Sequence, residues 1–339
     1  MQNVPSVAAA HAVEIVDMHT AGEPVRIVTD GFPALEGASL LEKRRLAMSE
    51  YDYLRSSLML EPRGHADMYG AVPLPSCHTD AALSVFFIHT GGYSTMCGHA
   101  SLALARWAVE SGRVPIAEPL TRFLLECPCG LVTVEAMVQN DRVIATAFES
   151  VPGFVEQSGF TFNSSEFGQV RGDIAYGGAY YLIVSAETLS LSFEETSQEQ
   201  LIAAARSLFY DVRQCADIVH PESPDLSFLY GVILTDASPF PEPSSNICIF
   251  GDGQVDRSPT GSGVTARLAL DILKNGAPLK VSRTFYGASS DPFIGQVIRQ
   301  TTFYDRPAII ARVEGRSFYT ATGQILLEKD DPFRHGFLL

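Results

Sequence analysis

Two glycine-rich segments place a thiol and a hydroxyl in matching local settings. The first reads Thr95-Met96-Cys97-Gly98-His99-Ala100, the second Asp256-Arg257-Ser258-Pro259-Thr260-Gly261-Ser262-Gly263. Each follows an apolar run, Ser84-Val85-Phe86-Phe87-Ile88 or Asn246-Ile247-Cys248-Ile249-Phe250. Each opens an apolar stretch of helical character, Leu102 to Val109 or Val264 to Leu273. Phe87 and Phe250 stand at the same spacing before Cys97 and Thr260. The pattern is one strand–turn–helix unit used twice, with Cys97 and Thr260 at equivalent helix N-termini. Such an end offers unpaired N–H groups and partial positive charge. Glycines at 98, 261 and 263 let a ligand approach the backbone. Two such ends facing each other across a cleft would hold a small carboxylate. The same placement is expected to lower the pKa of Cys97, giving a thiolate that can act as nucleophile or general base. His99 is expected to favour the thiolate further or to bind substrate.

Packing alone offers a reading of each residue. A cysteine before glycine is often a small buried hydrophobe. Thr260 reads as an ordinary N-cap, and Asp256 as a side chain that orders its own turn. Ser258-Pro259 also suits turn initiation. Two matched glycine-rich helix starts are harder to attribute to packing. Cys127-Pro128-Cys129 has one intervening residue and no second pair, against the spacing of zinc sites. Cys77-His78 reads as loop. Gly251-Asp252-Gly253 lacks the full dinucleotide fingerprint. His65 and Asp67 lie in a loop and are candidates to line a site. His89 and His220 read as structural.

The elements that must position these groups follow from the rest of the chain. Its 339 residues suit two domains, and 46% apolar content supports a large core. Net charge is −15, which argues against nucleic-acid partners. No apolar stretch reaches the length of a membrane span, and Met1 to His11 does not read as a signal peptide. Six scattered cysteines show no disulfide framework and suit a reducing cytoplasm. Strands are expected at Val13 to Asp17, Val25 to Thr29, Phe123 to Cys127, Leu131 to Met137 and Arg142 to Phe148. A surface helix is expected over Leu40 to Leu58, and a loop with a short strand over Pro62 to Pro75. Val151-Pro152-Gly153 marks the crossing into a second half. That half holds strands at Ala179 to Ser185, Phe228 to Thr235, Ile309 to Arg316 and Gln324 to Leu327, and a helix at Ser197 to Tyr210. In Leu102 to Val109 only Arg106 interrupts the apolar surface, so that helix must be buried. Strands wrapped around a central helix, twice, are the expected architecture.

Four segments together resemble the proline racemase family. They are Asp17 to Pro24, Arg63 to Gly70, Met96 to His99 and Asp256 to Gly263, so the likeness spans nearly the whole chain. The resemblance implies an α/β (α+β) fold of the diaminopimelate epimerase type: two similar halves, mostly antiparallel strands around a buried helix in each, and the site in the cleft between. Residues 1–152 would carry Cys97 and residues 153–319 would carry Asp256 and Thr260, with a segment near 320–339 packing back on the first half. Family racemases are understood to use two cysteines, one on each face of the substrate α-carbon. Here Cys97 matches the first and Thr260 replaces the second. A hydroxyl is a far weaker acid than a thiol, so this pair points away from racemisation. The Cys/Thr pattern is similar to that of family members that dehydrate trans-3-hydroxy-L-proline. By position Gly98, His99, Asp256, Gly261 and Ser262 would bind substrate. The resemblance implies no metal, no organic cofactor, a small-molecule substrate and a homodimer. The alternatives are a hydroxyproline epimerase or proline racemase, a cyclic amino-acid binding protein without chemistry, and a Cys–His hydrolase.

Overall fold

The computed structural model describes residues 10–237 and 239–338; most of the Met1 to His11 segment, and Leu339, lie outside them. The first part of the chain forms β1 (Ala10–Thr20), β2 (Glu23–Asp30), α1 (Leu40–Glu50), α2 (Asp52–Met59), β3 (Tyr69–Leu74), β4 (Ala81–His89), β5 (Gly92–Ser94), α3 (Gly98–Glu110), β6 (Leu120–Cys127), β7 (Gly130–Gln139) and β8 (Arg142–Glu149). The remainder forms β9 (Gly153–Ser164), β10 (Gly168–Tyr176), β11 (Tyr180–Ser185), α4 (Gln198–Val212), β12 (Leu229–Thr235), β13 (Ser244–Phe250), β14 (Gln254–Asp256), α5 (Gly261–Leu273), β15 (Ser282–Tyr286), β16 (Phe293–Phe303), β17 (Arg306–Gly315) and β18 (Ser317–Glu328).

Two central helices organise this strand-rich chain. Along α3 every residue is buried except Arg106 and Glu110, which pair with each other at 3.0 Å. It packs against β1, β2, β7, β8 and β18. Burying apolar area on all its faces is the main source of its stability, at roughly 25 cal/mol per Å². Helix α5 packs likewise against β9, β10, β16 and β17. It also buries Arg267, whose guanidinium lies between the rings of Phe240 and Phe285 and donates to Asn246 Oδ1 at 2.8 Å. This is the expected pair of strand-wrapped helices. The strands join through β8–β17 and β9–β17 pairing. Strand β18 runs antiparallel to β1 from Ala10↔Glu328 to Thr20↔Ser317.

Local signals set the turns. Ala21 and Gly22 both have positive φ (51° and 78°) in the tight connection between β1 and β2, the geometry that two-residue hairpins favour. Helix α4 begins with a complete capping box, Ser197 with Gln200. The single helix expected over Leu40 to Leu58 is two helices. Tyr51 leaves helical geometry (φ −125°, ψ 14°), and α2 restarts with Asp52 bound to Arg55 at 2.6 Å. Nor is it a plain surface helix, since Leu40, Ala47, Leu54 and Leu58 are buried. The strand expected at Gln324 to Leu327 extends to Ser317–Glu328; its largely exposed residues carry no alternation to read. The β9–β10 hairpin was not anticipated.

Candidate active site

The two glycine-rich turns meet. A Cβ added to Gly98 would fall 2.4 Å from Gly261 Cα, and one added to Gly261 would fall 2.7 Å from Gly98 Cα. Backbones this close admit only glycine at both positions. The N-termini of α3 and α5 therefore abut, and Cys97 and Thr260 immediately precede them. The helical ladders begin with Ser101 N–H to Cys97 O (3.0 Å) and Val264 N–H to Thr260 O (2.7 Å). The N–H groups of 98, 99, 261 and 262 precede those ladders and have no partner within their helices.

One pocket of about 10 Å³ is lined by all seven predicted residues: Cys97, Gly98, His99, Asp256, Thr260, Gly261 and Ser262. It is also lined by Tyr69, Met96, Tyr181, Tyr230, Cys248 and Phe250, which sequence reasoning had not placed there. A cavity of about 390 Å³ adjoins it at Tyr230. Cys248 and Phe250 share one face of β13, and Tyr69 belongs to the Arg63 to Gly70 segment. Strand alternation marks such residues as inward-facing without saying what they face. His65 and Asp67 do not line the pocket.

The side chains are finely partnered. Cys97 Sγ accepts from Ala100 N–H at 3.3 Å and lies 3.2 Å from His99 Nδ1. Thr260 sits in the left-handed region (φ 64°) and makes no side-chain cap, so it is not an ordinary N-cap residue. Its Oγ1 is buried near Asp256 and Cys248 but makes no hydrogen bond of ordinary geometry among the described residues. Holding a threonine at positive φ is costly, and such strain concentrates at functional sites. Asp256 Oδ1 accepts from Ser258 N–H at 2.8 Å, so it does order its turn while facing the pocket. Tyr181 Oη and Ser262 Oγ are 2.8 Å apart.

The electrostatics overturn one expectation. Burial, with Asp256 and Glu23 near by, pushes the Cys97 thiol well above its ordinary value. The Ala100 N–H and the neighbouring Tyr69 hydroxyl act in the lowering direction but are outweighed. Burial also lowers His99 to about 3, so its ring is neutral and supplies no positive charge to a thiolate. Asp256 is raised by burial to about 6 and is largely ionised at neutral pH.

A brace of first-half residues holds both turns. Thr20 Oγ1 donates to His99 O at 2.9 Å. Glu23, fully buried, accepts from Arg257 N–H at 2.8 Å and from Arg257 Nη1 at 3.2 Å. Asp67 Oδ1 accepts from Val255 N–H at 3.1 Å. His89 Nδ1 meets Gln254 Oε1 at 2.7 Å, in keeping with a structural role.

Residues 15–338 match the proline racemase family model. The chain is 45% identical over 331 residues to a protein from Xenopus tropicalis named trans-L-3-hydroxyproline dehydratase, covering 96% of this chain and 95% of that one. It is 46% identical over 334 residues to a human protein named trans-3-hydroxy-L-proline dehydratase, covering 96% and 94%. Among solved structures, a hydroxyproline epimerase from Agrobacterium vitis with bound trans-4-hydroxy-L-proline superimposes with a TM-score of 0.92 at 27% identity, covering 98% and 96%. That likeness accords with the diaminopimelate epimerase-type fold of two strand-wrapped halves.

Proposed function

The chain belongs to the proline racemase family, and we propose that it is a hydro-lyase that converts trans-3-hydroxy-L-proline to Δ1-pyrroline-2-carboxylate and water, without a cofactor. The observation that carries this reading is the near full-length identity to relatives named for that dehydration. The unequal pair Cys97/Thr260 supports it chemically. In the trans isomer the α-hydrogen and the 3-hydroxyl lie on one ring face. A single base on that face, Cys97, can take the α-proton and return a proton to the departing hydroxyl. The resulting enamine tautomerises to the imine. No second base is needed, so a hydroxyl at 260 suffices to orient the ring from the other face.

Binding follows from the free N–H groups at 98, 99, 261 and 262, which would take the carboxylate and the enolate-like charge that develops on it. Asp256 would pair with the ring ammonium. This cation also offsets the Asp256 carboxylate that disfavours the Cys97 thiolate, so substrate helps to generate its own base. The work belongs to a metabolic enzyme of a small molecule, and the thiols suit the cytoplasm.

The test is product formation in deuterated buffer from trans-3-hydroxy-L-proline, with L-proline and trans-4-hydroxy-L-proline in parallel. Imine from the 3-hydroxy compound alone is the expected result. Deuterated, inverted proline or 4-hydroxyproline without imine would make the protein an isomerase.

A further inference from the structure

We infer that Tyr69 is a second catalytic residue beside Cys97 and takes over from it the second of the two steps assigned above, protonation of the departing 3-hydroxyl. The inference rests on the dehydratase reading above. Tyr69 opens β3, is 1% exposed and lines the pocket with Cys97. Its ring meets that of His99 edge-on, with centroids 4.8 Å apart. Its hydroxyl is buried beside the Cys97 thiol and Ser94 but makes no hydrogen bond of ordinary geometry among the described residues. Tyr176 and Tyr180 likewise lack such a bond, but neither lines the pocket. Of the pocket-lining side chains, only Tyr69 and Thr260 have such an oxygen among the described residues. They come from opposite halves, so the Cys97 half supplies one such donor and it is a phenol. A buried hydroxyl without a well-formed partner calls for an explanation, and at a pocket wall a ligand oxygen supplies one. Burial and the neighbouring thiol hold the phenol above its ordinary value, which keeps it protonated until a strongly basic oxygen arrives.

The proton balance closes. The Cys97 thiolate takes the α-proton, and the C–H electron pair forms the Cα=C3 bond as C3–O breaks. The Tyr69 phenol gives its proton to the leaving oxygen, which departs as water. The Cys97 thiol then returns its proton to the phenolate, a downhill transfer by ordinary acidities. Both side chains end as they began.

The test compares wild type and Tyr69→Phe on two substrates, trans-3-hydroxy-L-proline and trans-3-chloro-L-proline. Chloride leaves without a proton. The expected loss in kcat is about 100-fold on the hydroxy compound and less than about threefold on the chloro compound, within the range for a general acid. Equal losses on both substrates, or none on either, would overturn the role. If wild type forms no imine from the hydroxy compound, the dehydratase reading itself fails. Phe keeps the ring and its packing against His99, Phe87 and Phe250, so folding should persist, and thermal melting checks it. Should Tyr69→Phe fail to fold, 3-fluorotyrosine at position 69 makes the phenol more acidic at nearly constant shape. The rate on the hydroxy compound should then change while that on the chloro compound stays constant; an unchanged ratio would also overturn the proposal.

Discussion

At the scale of single residues, the difference between Cys97 and Thr260 has measurable consequences. Cys97→Ser replaces a base by one far less able to hold a negative charge, and turnover should fall by at least about 1,000-fold. Substantial residual dehydration would remove Cys97 from the chemistry. The raised pKa of Cys97 adds a second expectation. Alkylation of the ligand-free protein by iodoacetamide should be slow at neutral pH. Its rate should still be far below half its maximum at pH ~8.5, where an ordinary thiol is half ionised. A plateau below that value would mean that the helix N-terminus outweighs burial after all. Thr260→Cys should restore an acid–base group on the second face and allow exchange of substrate α-hydrogen with solvent. Complete absence of exchange in a folded, substrate-binding variant would count against the two-face arrangement.

Those residues matter only because their turns meet, which is a property of the elements. Gly98→Ala would set a methyl group into the Gly261 backbone, where no flexible side chain can yield. The two helix starts would have to separate. Overpacking of this kind costs about 1–3 kcal/mol. A separation of 1 Å at such a site can cost about 100-fold in rate. Activity should therefore fall much more than the thermal midpoint; a fully active Gly98→Ala would mean that the turns need not touch. The glycines, Cys97, Thr260 and Asp256 could be read from sequence because strand–turn–helix punctuation is local and occurs twice. The burial of α3 was also legible, from an apolar surface broken only at Arg106. Tyr69, Tyr181, Tyr230 and Cys248 were not, because alternation identifies an inward residue and not the cavity it faces. The direction of the Cys97 shift was missed for a related reason. A helix dipole can be inferred from spacing, whereas burial and the approach of Glu23 require the tertiary structure. The break at Tyr51 had no glycine or proline to announce it.

At the scale of the whole molecule, a pocket of about 10 Å³ holds roughly one water molecule, so substrate must enter through a more open arrangement. The contacts that would break on opening run from the β1–β2 connection and the loop before β3 to the segment Gln254 to Ser258. Glu23 is the most enclosed of them and receives two hydrogen bonds from Arg257. Glu23→Ala should loosen this brace. KM should rise about tenfold, or near 1.4 kcal/mol, with a smaller change in kcat and faster alkylation of Cys97 in the free protein. Glu23→Gln keeps an acceptor for Arg257, so it should lie closer to wild type than Glu23→Ala in both respects. The pH dependence separates the neutral from the ionised form of Glu23. Burial and Asp256 raise the Glu23 pKa in the folded state. Its protonated form therefore favours folding at low pH, and that contribution is lost as pH rises through the folded value. Relative to Glu23→Gln, which does not titrate, wild type should lose thermal stability as pH increases from the ordinary carboxylate range upward. A midpoint difference that stays constant with pH would show that Arg257 holds Glu23 ionised throughout. The brace would then be an ion pair, and Glu23→Gln should weaken it nearly as much as Glu23→Ala.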